Sequence, residues 1–297
     1  MPSTFAHHLH GQLVLDRCPE EIASIIRENR ELFDIGVHGP DILFYYNAIH
    51  SNRVNRFGHY LHHHPAFLFF GPASAAERGK RAPVDESESR RRLAYLAGFV
   101  CHFVLDSACH PYVQRKIEVD GIPHGVIEGD FERFLIRLSG GDPVRTRLTD
   151  QIIPSEENAE TIRAFLPEFS SRDIQKCLRD MKFWHDVIYA RTPVKRGLLY
   201  AGMEIIRMYP QLNGRVIRPA PNPDCADSSL RLLKYMNRSL DPAVGLIEEY
   251  FAFLRGERPL PAAFSATFSY GRAYRKIPVY SLKKEREYAV PGASGIS

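Results

Sequence analysis

Cysteine is scarce in this chain: five residues of 297, an odd number, with no Cys-x-x-Cys pair. That argues against a disulfide framework and leaves Cys18, Cys101, Cys109, Cys177 and Cys225 to packing; Cys101 and Cys109, eight apart on one helical run, are too distant to bond to each other. An excess of one charge is missing too. Lys and Arg total 39 against 35 Asp and Glu, and a net charge of +4 is too modest to imply nucleic acid by itself. No signal-peptide h-region, no lipidation motif and no apolar run of about 18 residues is evident, so the expectation is a soluble, cytoplasmic protein. Alternating strand patterns of any length are also absent. Histidine, finally, is confined: of 13, only His185 lies beyond position 124, which concentrates the chemistry in the first half.

What is present is a row. Between Gly98 and Pro111, His102, Asp106 and His110 stand four residues apart inside an apolar helical run. Each step rotates the side chain by only about 40°, so the three share one stripe. Two imidazoles and a carboxylate on a buried stripe are expensive to desolvate unless something satisfies them, and a divalent metal would. A second half-site follows. Asp120-Gly121 reads as a turn, Pro123 suits the start of a helix, and Ile127, Phe131, Phe134, Leu135 and Leu138 repeat at helical spacing. His124 and Glu128 therefore lie one turn apart on one face, a pair that suits zinc. Alone, they read equally as an exposed cap and a solvated acid; beside the row, the metal reading prevails.

Other polar residues are less specific. His62, His63 and His64 must point in three directions, so at most two of them, with His59 as a rival one turn earlier, can face a common centre. Asp41, in Gly39-Pro40-Asp41 before Ile42-Leu43-Phe44-Tyr45-Tyr46, reads by itself as the N-cap of an apolar helix. Trp184-His185 sits in an apolar run and reads as core. Phe44, Tyr45, Tyr46, Phe57, Tyr60, Phe67, Phe69 and Phe70 are either core or an aromatic rim able to bind a quaternary ammonium group.

Helical periodicity dominates the rest. A helix begins at Pro19-Glu20-Glu21 and buries Ile22, Ile25, Ile26, Leu32 and Phe33; 90–110 is the central helix and 123–139 the next. Ser139-Gly140-Gly141-Asp142-Pro143 marks a boundary near 140, followed by amphipathic segments near 155–166, 170–190, 193–208, 226–238 and 241–255, with an irregular connection from 210 to 223. These give three regions: a metal-binding core at 1–140, a helical extension at 141–268 and a basic, aromatic tail at 269–297. The tail carries Arg272, Arg275, Lys276, Lys283, Lys284 and Arg286 among four tyrosines. It reads either as a solvated, weakly ordered segment or as a peripheral contact with an anionic membrane, worth about 1 kcal/mol per basic residue.

Taken together, the early His7, Gly39-Pro40-Asp41, His62-x-x-Pro65, the row His102-x3-Asp106-x3-His110 and His124-x3-Glu128 resemble the zinc-dependent phospholipase C family. That family includes the bacterial phosphatidylcholine-preferring enzymes, the alpha-toxin-type catalytic domains and the catalytic domain of glycosylphosphatidylinositol phospholipase D. The resemblance runs from Met1 to about residue 140. It implies an all-α fold, a multi-helix phospholipase C or nuclease-like metal-binding bundle with additional C-terminal helices. It also implies ligands: Asp41, His62, His102 and Asp106 for one zinc, His110, His124 and Glu128 for a second, and His7 with a bridging Asp106 for a third. Relatives complete the third site with a processed N-terminal residue. This chain departs there, since only removal of Met1, exposing Pro2, would supply such an amine.

The activity implied is hydrolysis of a phospholipid or related phosphodiester by metal-bound hydroxide, with Asp41 as ligand or general base. Under this reading no nucleic acid partner is expected, while the oligomeric state stays open. Two other readings stand beside it: a nuclease-type phosphodiesterase of similar metal geometry, and a catalytically inactive, metal-stabilised helical scaffold.

Overall fold

The apolar spacing that runs through the first forty residues breaks at Asn29, which ends one helix and precedes the next. In the computed structural model, which describes residues 4–77 and 85–290, the first half forms α1 (Thr4–Leu15), α2 (Glu20–Glu28), α3 (Arg30–Gly36), a 3-10 segment (Gly39–Tyr45), α4 (Arg53–His63), α5 (Phe67–Glu77), α6 (Glu86–Asp120) and α7 (His124–Leu138). Then come α8 (Glu156–Arg163), α9 (Ser171–Ile188), α10 (Pro193–Ile205), α11 (Tyr209–Leu212), α12 (Ala226–Arg238), α13 (Leu240–Arg255) and α14 (Leu282–Glu287). The described residues contain no strand beyond one isolated bridge, Pro65 with Thr267. The fold is all-α, as the sequence indicates. Leu32 and Phe33 belong to α3 rather than to the helix that starts after Pro19.

α6 is the axis. Asp85 caps its start, its carboxylate accepting the Glu88 N–H, and Gly121 ends it in the left-handed region at φ +71. Helices α1, α2, α3, α12 and α13 pack against it. One 18-residue window of α6 reaches a mean hydropathy of 1.3, long and apolar enough by composition to cross a membrane, but 78% of that window is buried inside the protein. This corrects the expectation that no apolar run of such length exists: His102, Asp106 and His110 interrupt the run to the eye without lowering its average below that of a core helix.

Two glycines set how closely α3 approaches α6. A Cβ on Gly36 would lie 2.3 Å from the Tyr95 carbonyl oxygen, and one on Gly98 would lie 2.4 Å from that of Phe33. Only bare backbone allows this crossing. Farther along, a Cβ on Gly214 would lie 2.2 Å from the Gly125 carbonyl, so the 213–215 turn seats directly on the start of α7.

The main apolar cluster runs from Val14 through Phe99 to Phe268, so residues beyond 140 share the core of the first half. The described part of the tail is docked. Arg231 of α12 and Glu285 of α14, both fully buried, form a two-bond ion pair at 2.8 and 2.6 Å, with the Tyr288 ring 4.2 Å from the guanidinium carbon and Tyr112 at 4.9 Å. Tyr274 donates to Glu118 of α6. Lys283, Lys284 and Arg286 remain exposed, and residues 291–297 lie outside the described part.

α1 is tied to α7 by a buried acid. Glu132 accepts the Phe5 N–H at 2.6 Å in the first turn of α1. Burial, opposed by this bond, raises its pKa to about 8.

Gly98→Ala should cost roughly 2–3 kcal/mol, since the added methyl meets backbone and not a movable side chain. Urea unfolding reads this, and a loss below about 0.5 kcal/mol would show that α3 can part freely from α6. A second expectation concerns pH. A carboxyl whose folded pKa lies above its unfolded value contributes stability that is full below about 4.5 and gone above about 8. In metal-free protein, wild-type stability relative to Glu132→Gln should therefore fall across that window; a constant difference between pH 5 and 8 would contradict it.

Candidate metal centre

On α6, His102, Asp106 and His110 do share one buried stripe, and Asp106 is where four imidazoles meet. Its Oδ1 lies 3.1 Å from His7 Nε2 of α1, and its Oδ2 lies 3.2 Å from His102 Nε2, 3.5 Å from His110 Nδ1 and 3.7 Å from His62 Nε2 of α4. Asp41 joins from the 3-10 segment, its Oδ1 2.9 Å from His62 Nε2. Asp41 is not the N-cap that its local sequence suggests. It lies inside the 3-10 segment, whose preceding residue His38 makes no capping bond. The cause is Gly39: it adopts φ +48, and a Cβ there would lie 2.4 Å from the His102 ring, so the turn presses against His102 and carries Asp41 inward.

Each of three histidines is anchored by its other nitrogen. His62 Nδ1 pairs with the Gly58 carbonyl at 2.8 Å, His102 Nδ1 with that of Val37 at 3.2 Å, and His110 Nδ1 with that of Phe268 at 2.9 Å. A backbone carbonyl can only accept, so Nδ1 donates and Nε2 is left as a lone pair. Those lone pairs face carboxylate oxygens. Acceptor facing acceptor inside a protein requires a cation between them, whether a proton or a metal ion. Accordingly His62 Nε2, His102 Nε2, His124 Nε2, Asp41 Oδ1 and Asp106 Oδ2 are buried with no hydrogen-bond partner.

The donor atoms fall into three groups, each within 4.8 Å: His7, His102 and Asp106; Asp41, His62 and His102; and His110, His124 and Glu128. Ligands about 2.05 Å from a tetrahedral zinc stand about 3.3 Å apart. The separations of 2.9 to 3.7 Å around Asp106 and Asp41 bracket that value, and imidazole with carboxylate is zinc's chemistry where thiolate is absent. In the third group Glu128 Oε1 lies 2.6 Å from His124 Nε2 and 3.6 Å from His110 Nε2. The His124 side chain is 38% exposed although its Nε2 is itself covered, so this group lies close beneath the surface.

The titration pattern reflects the crowding. Burial and the neighbouring His102 lower the pKa of His7. Burial opposes the ionised form of Asp106, but His110 and His102 hold its pKa well below the usual carboxylate range. Burial likewise works against a charged His110, but Asp106 and Glu128 bring its pKa up to about 9. Without metal, protons on imidazole supply the positive charge that the acids demand.

The remaining histidines sort cleanly. His59 is exposed and packs on Phe44, whereas His62 points inward and is the one grouped with Asp41 and His102. His63 and His64 are exposed, bonded to carbonyls of their own helix. His10 is buried against Ser239 at 2.9 Å, and His8 lies 3.6 Å from Asp34. His185 is half-buried rather than core, and polar-bonded: its Nε2 meets Tyr45 OH at 2.9 Å and Thr4 Oγ1 at 3.1 Å. Of the aromatics, Tyr45, Phe69 and Phe70 are core, while Tyr60 and Phe67 are more than 40% exposed. Pro2 lies outside the described residues.

Phe268 was not foreseen. Its carbonyl holds His110, and its ring lies 5.7 Å from that of His62 and 5.8 Å from that of His102. A backbone acceptor carries no residue-type signal, and 158 positions separate it from His110. The Phe5–Glu132 bond and the Thr4–His185–Tyr45 contacts escaped for the same reason of distance in sequence.

No curated protein and no solved structure matches the chain. One family model does match: it is described as zinc-dependent phospholipase C and covers residues 1–177, a span that contains every donor of the three groups. With the donors, the anchoring carbonyls and this match in agreement, the chain belongs to the zinc-dependent phospholipase C family.

Proposed function

We propose that this chain is a zinc-dependent phosphodiester hydrolase of phospholipase C type, acting on a phospholipid. The observation that supports it most is the set of unpartnered, buried Nε2 and carboxylate oxygens that converge in groups, one of them beneath the partly exposed His124 ring. In this reading Asp41, His62, His102 and Asp106 would hold one zinc, and His110, His124 and Glu128 a second. His7 and Asp106 would contribute to a third. Zinc, when bound, supplies a Lewis acid for the phosphoryl oxygens and lowers the pKa of water towards about 7.

The chain's own residues do the rest. Asp106 offers its two oxygens to different partners, Oδ1 towards His7 and Oδ2 towards His102 and His62, the disposition a bridging carboxylate needs. The carbonyls of Gly58, Val37 and Phe268 fix the rings of His62, His102 and His110, so their lone pairs are aimed before any ion arrives. Asp41, whose Oδ1 has no hydrogen-bond partner, is the group we assign as proton acceptor as well as ligand. Nearly dry walls of Phe99, Phe103 and Phe268 keep the electrostatic attraction between acids and ions strong.

Elemental analysis should find at least two zinc ions per chain. The zinc-loaded protein should release a phosphorylated head group from choline, ethanolamine or inositol phospholipid, lose this activity on chelation and regain it with zinc. Cleavage of single-stranded nucleic acid instead would favour the nuclease reading, and zinc binding with no hydrolysis of either substrate would favour the scaffold.

Ligand substitutions should differ sharply. Asp106→Asn removes the charge that four imidazoles surround and should abolish zinc retention at its groups, with activity down by at least ~100-fold. His63→Ala, at an exposed ring, should leave both within about twofold. Equal losses of zinc from the two variants would show that the donor set is misassigned.

A further inference from the structure

The outer face of α10 is apolar and uncovered. Its inner residues Leu199, Tyr200 and Met203 pack with Ala190, Val216 and Leu212 in a small satellite cluster. Outward, Val194 is 73% exposed, Leu198 70%, Ile205 82% and Ile206 61%. Val194, Leu198 and Ile205 fall within about 40° of arc on the helix, a continuous stripe with Ala201 between them. Arg207 then reverses the chain at φ +56, a left-handed conformation rare outside glycine, and keeps Ile205 and Ile206 at the outer edge. Scattered exposed apolar residues are ordinary, but a row of three on one helix with a fourth at its cap marks a contact surface.

Charge says what kind. Between Arg191 and Met208 stand four basic residues, Arg191, Lys195, Arg196 and Arg207, against the single acid Glu204. Among the described residues none of the four pairs with a carboxylate: Lys195 donates to the Asp186 carbonyl at 3.0 Å and Arg196 to that of Ala190 at 2.8 Å. Arg196 lies on the inner side of the helix, about 160–180° from the stripe, whereas Arg191 and Arg207 are exposed at its two ends. An apolar stripe accompanied by unneutralised cations complements a surface that is apolar beneath and anionic on top. Its place fits as well. Nine residues after Ile205, Gly214 rests on Gly125, the neighbour of His124, whose partly exposed ring covers one of the donor groups.

We propose that α10 is an interfacial anchor, which lays Val194, Leu198, Ile205 and Ile206 among the head groups of an anionic phospholipid surface and brings the His124 side of the metal centre to it. The choice of lipid over a protein partner rests on the phospholipid reading above; the exposed stripe and its charge do not.

The test is flotation of the zinc-loaded full chain with vesicles of phosphatidylcholine alone and of phosphatidylcholine mixed with phosphatidylglycerol. Wild type should float with the mixed vesicles, more weakly with phosphatidylcholine alone, and release as salt rises. Leu198→Glu with Ile205→Glu should weaken binding to mixed vesicles by at least ~10-fold, and Arg191→Glu with Arg207→Glu should do so on mixed vesicles only. Zinc content and circular dichroism should stay unchanged, because the two apolar side chains face solvent. Wild type that fails to float overturns the proposal. So does equal binding by the α10 variants with loss on Lys283→Glu and Lys284→Glu, which assigns the contact to the tail. A dimer in sedimentation that the Leu198 and Ile205 changes dissociate, without effect on vesicles, also overturns it and assigns the face to a second copy. Binding is read without turnover, so a chain that floats and hydrolyses nothing keeps this proposal and removes the hydrolase reading. One that cleaves dispersed short-chain phospholipid yet never floats does the reverse.

Discussion

A carboxylate at 2% exposure is tolerable only where positive charge surrounds it, and Asp106 meets that condition through His7, His62, His102 and His110, all within 3.7 Å. The four imidazoles come from α1, α4 and two turns of α6, so the demand of one buried acid fixes the mutual placement of three helices. Much else follows from it. Gly39 must be bare because His102 occupies the space beside it, and Gly36 and Gly98 must be bare so that α3 can deliver that turn to α6. The centre is therefore not an addition to a finished helical bundle. It is a polar core whose packing rules are as strict as those of the apolar one around it.

How much of this could be read from the chain divides by interaction range. The His102, Asp106, His110 row and the His124, Glu128 pair were legible because helical spacing converts sequence distance directly into spatial distance. Several helices were legible for the same reason, and α12 runs from Ala226 to Arg238 as the periodicity indicates, whereas α1, α4 and α5 were not assigned and α6 continues through Pro111 to Asp120. Asp41 was misleading alone: the signal of an N-cap is a short polar residue before an apolar run, and a 3-10 turn forced by Gly39 presents the same letters. His62 could be separated from His59 only once α4 was placed against the 3-10 segment, since both lie on one helix and one turn apart.

What stayed illegible is carried by main chain. Val37, Gly58 and Phe268 act through carbonyl oxygens, and every residue type has one. The tail misled differently. Its basic and aromatic composition suggested a solvated segment, yet Glu285 neutralises Arg231 inside a ring of tyrosines, where guanidinium stacking and a two-bond ion pair compensate the loss of water. Composition reports how much charge is present. It does not report which charges find each other.

The Phe268 contact has an implication in time. A ribosome delivers the chain from its N-terminus, so His102, Asp106 and His110 emerge, and α6 can coil, long before residue 268 exists. Until the closing segment arrives, with Ala66 bonding Ala266 and Pro65 bridging Thr267, the ring of His110 has no fixed tautomer and the walls about His62 lack one aromatic face. Fixing of the His110 ring thus comes after that of His62 and His102, whose anchoring carbonyls at Gly58 and Val37 are made early, so a nascent chain holds two ordered imidazoles before the third.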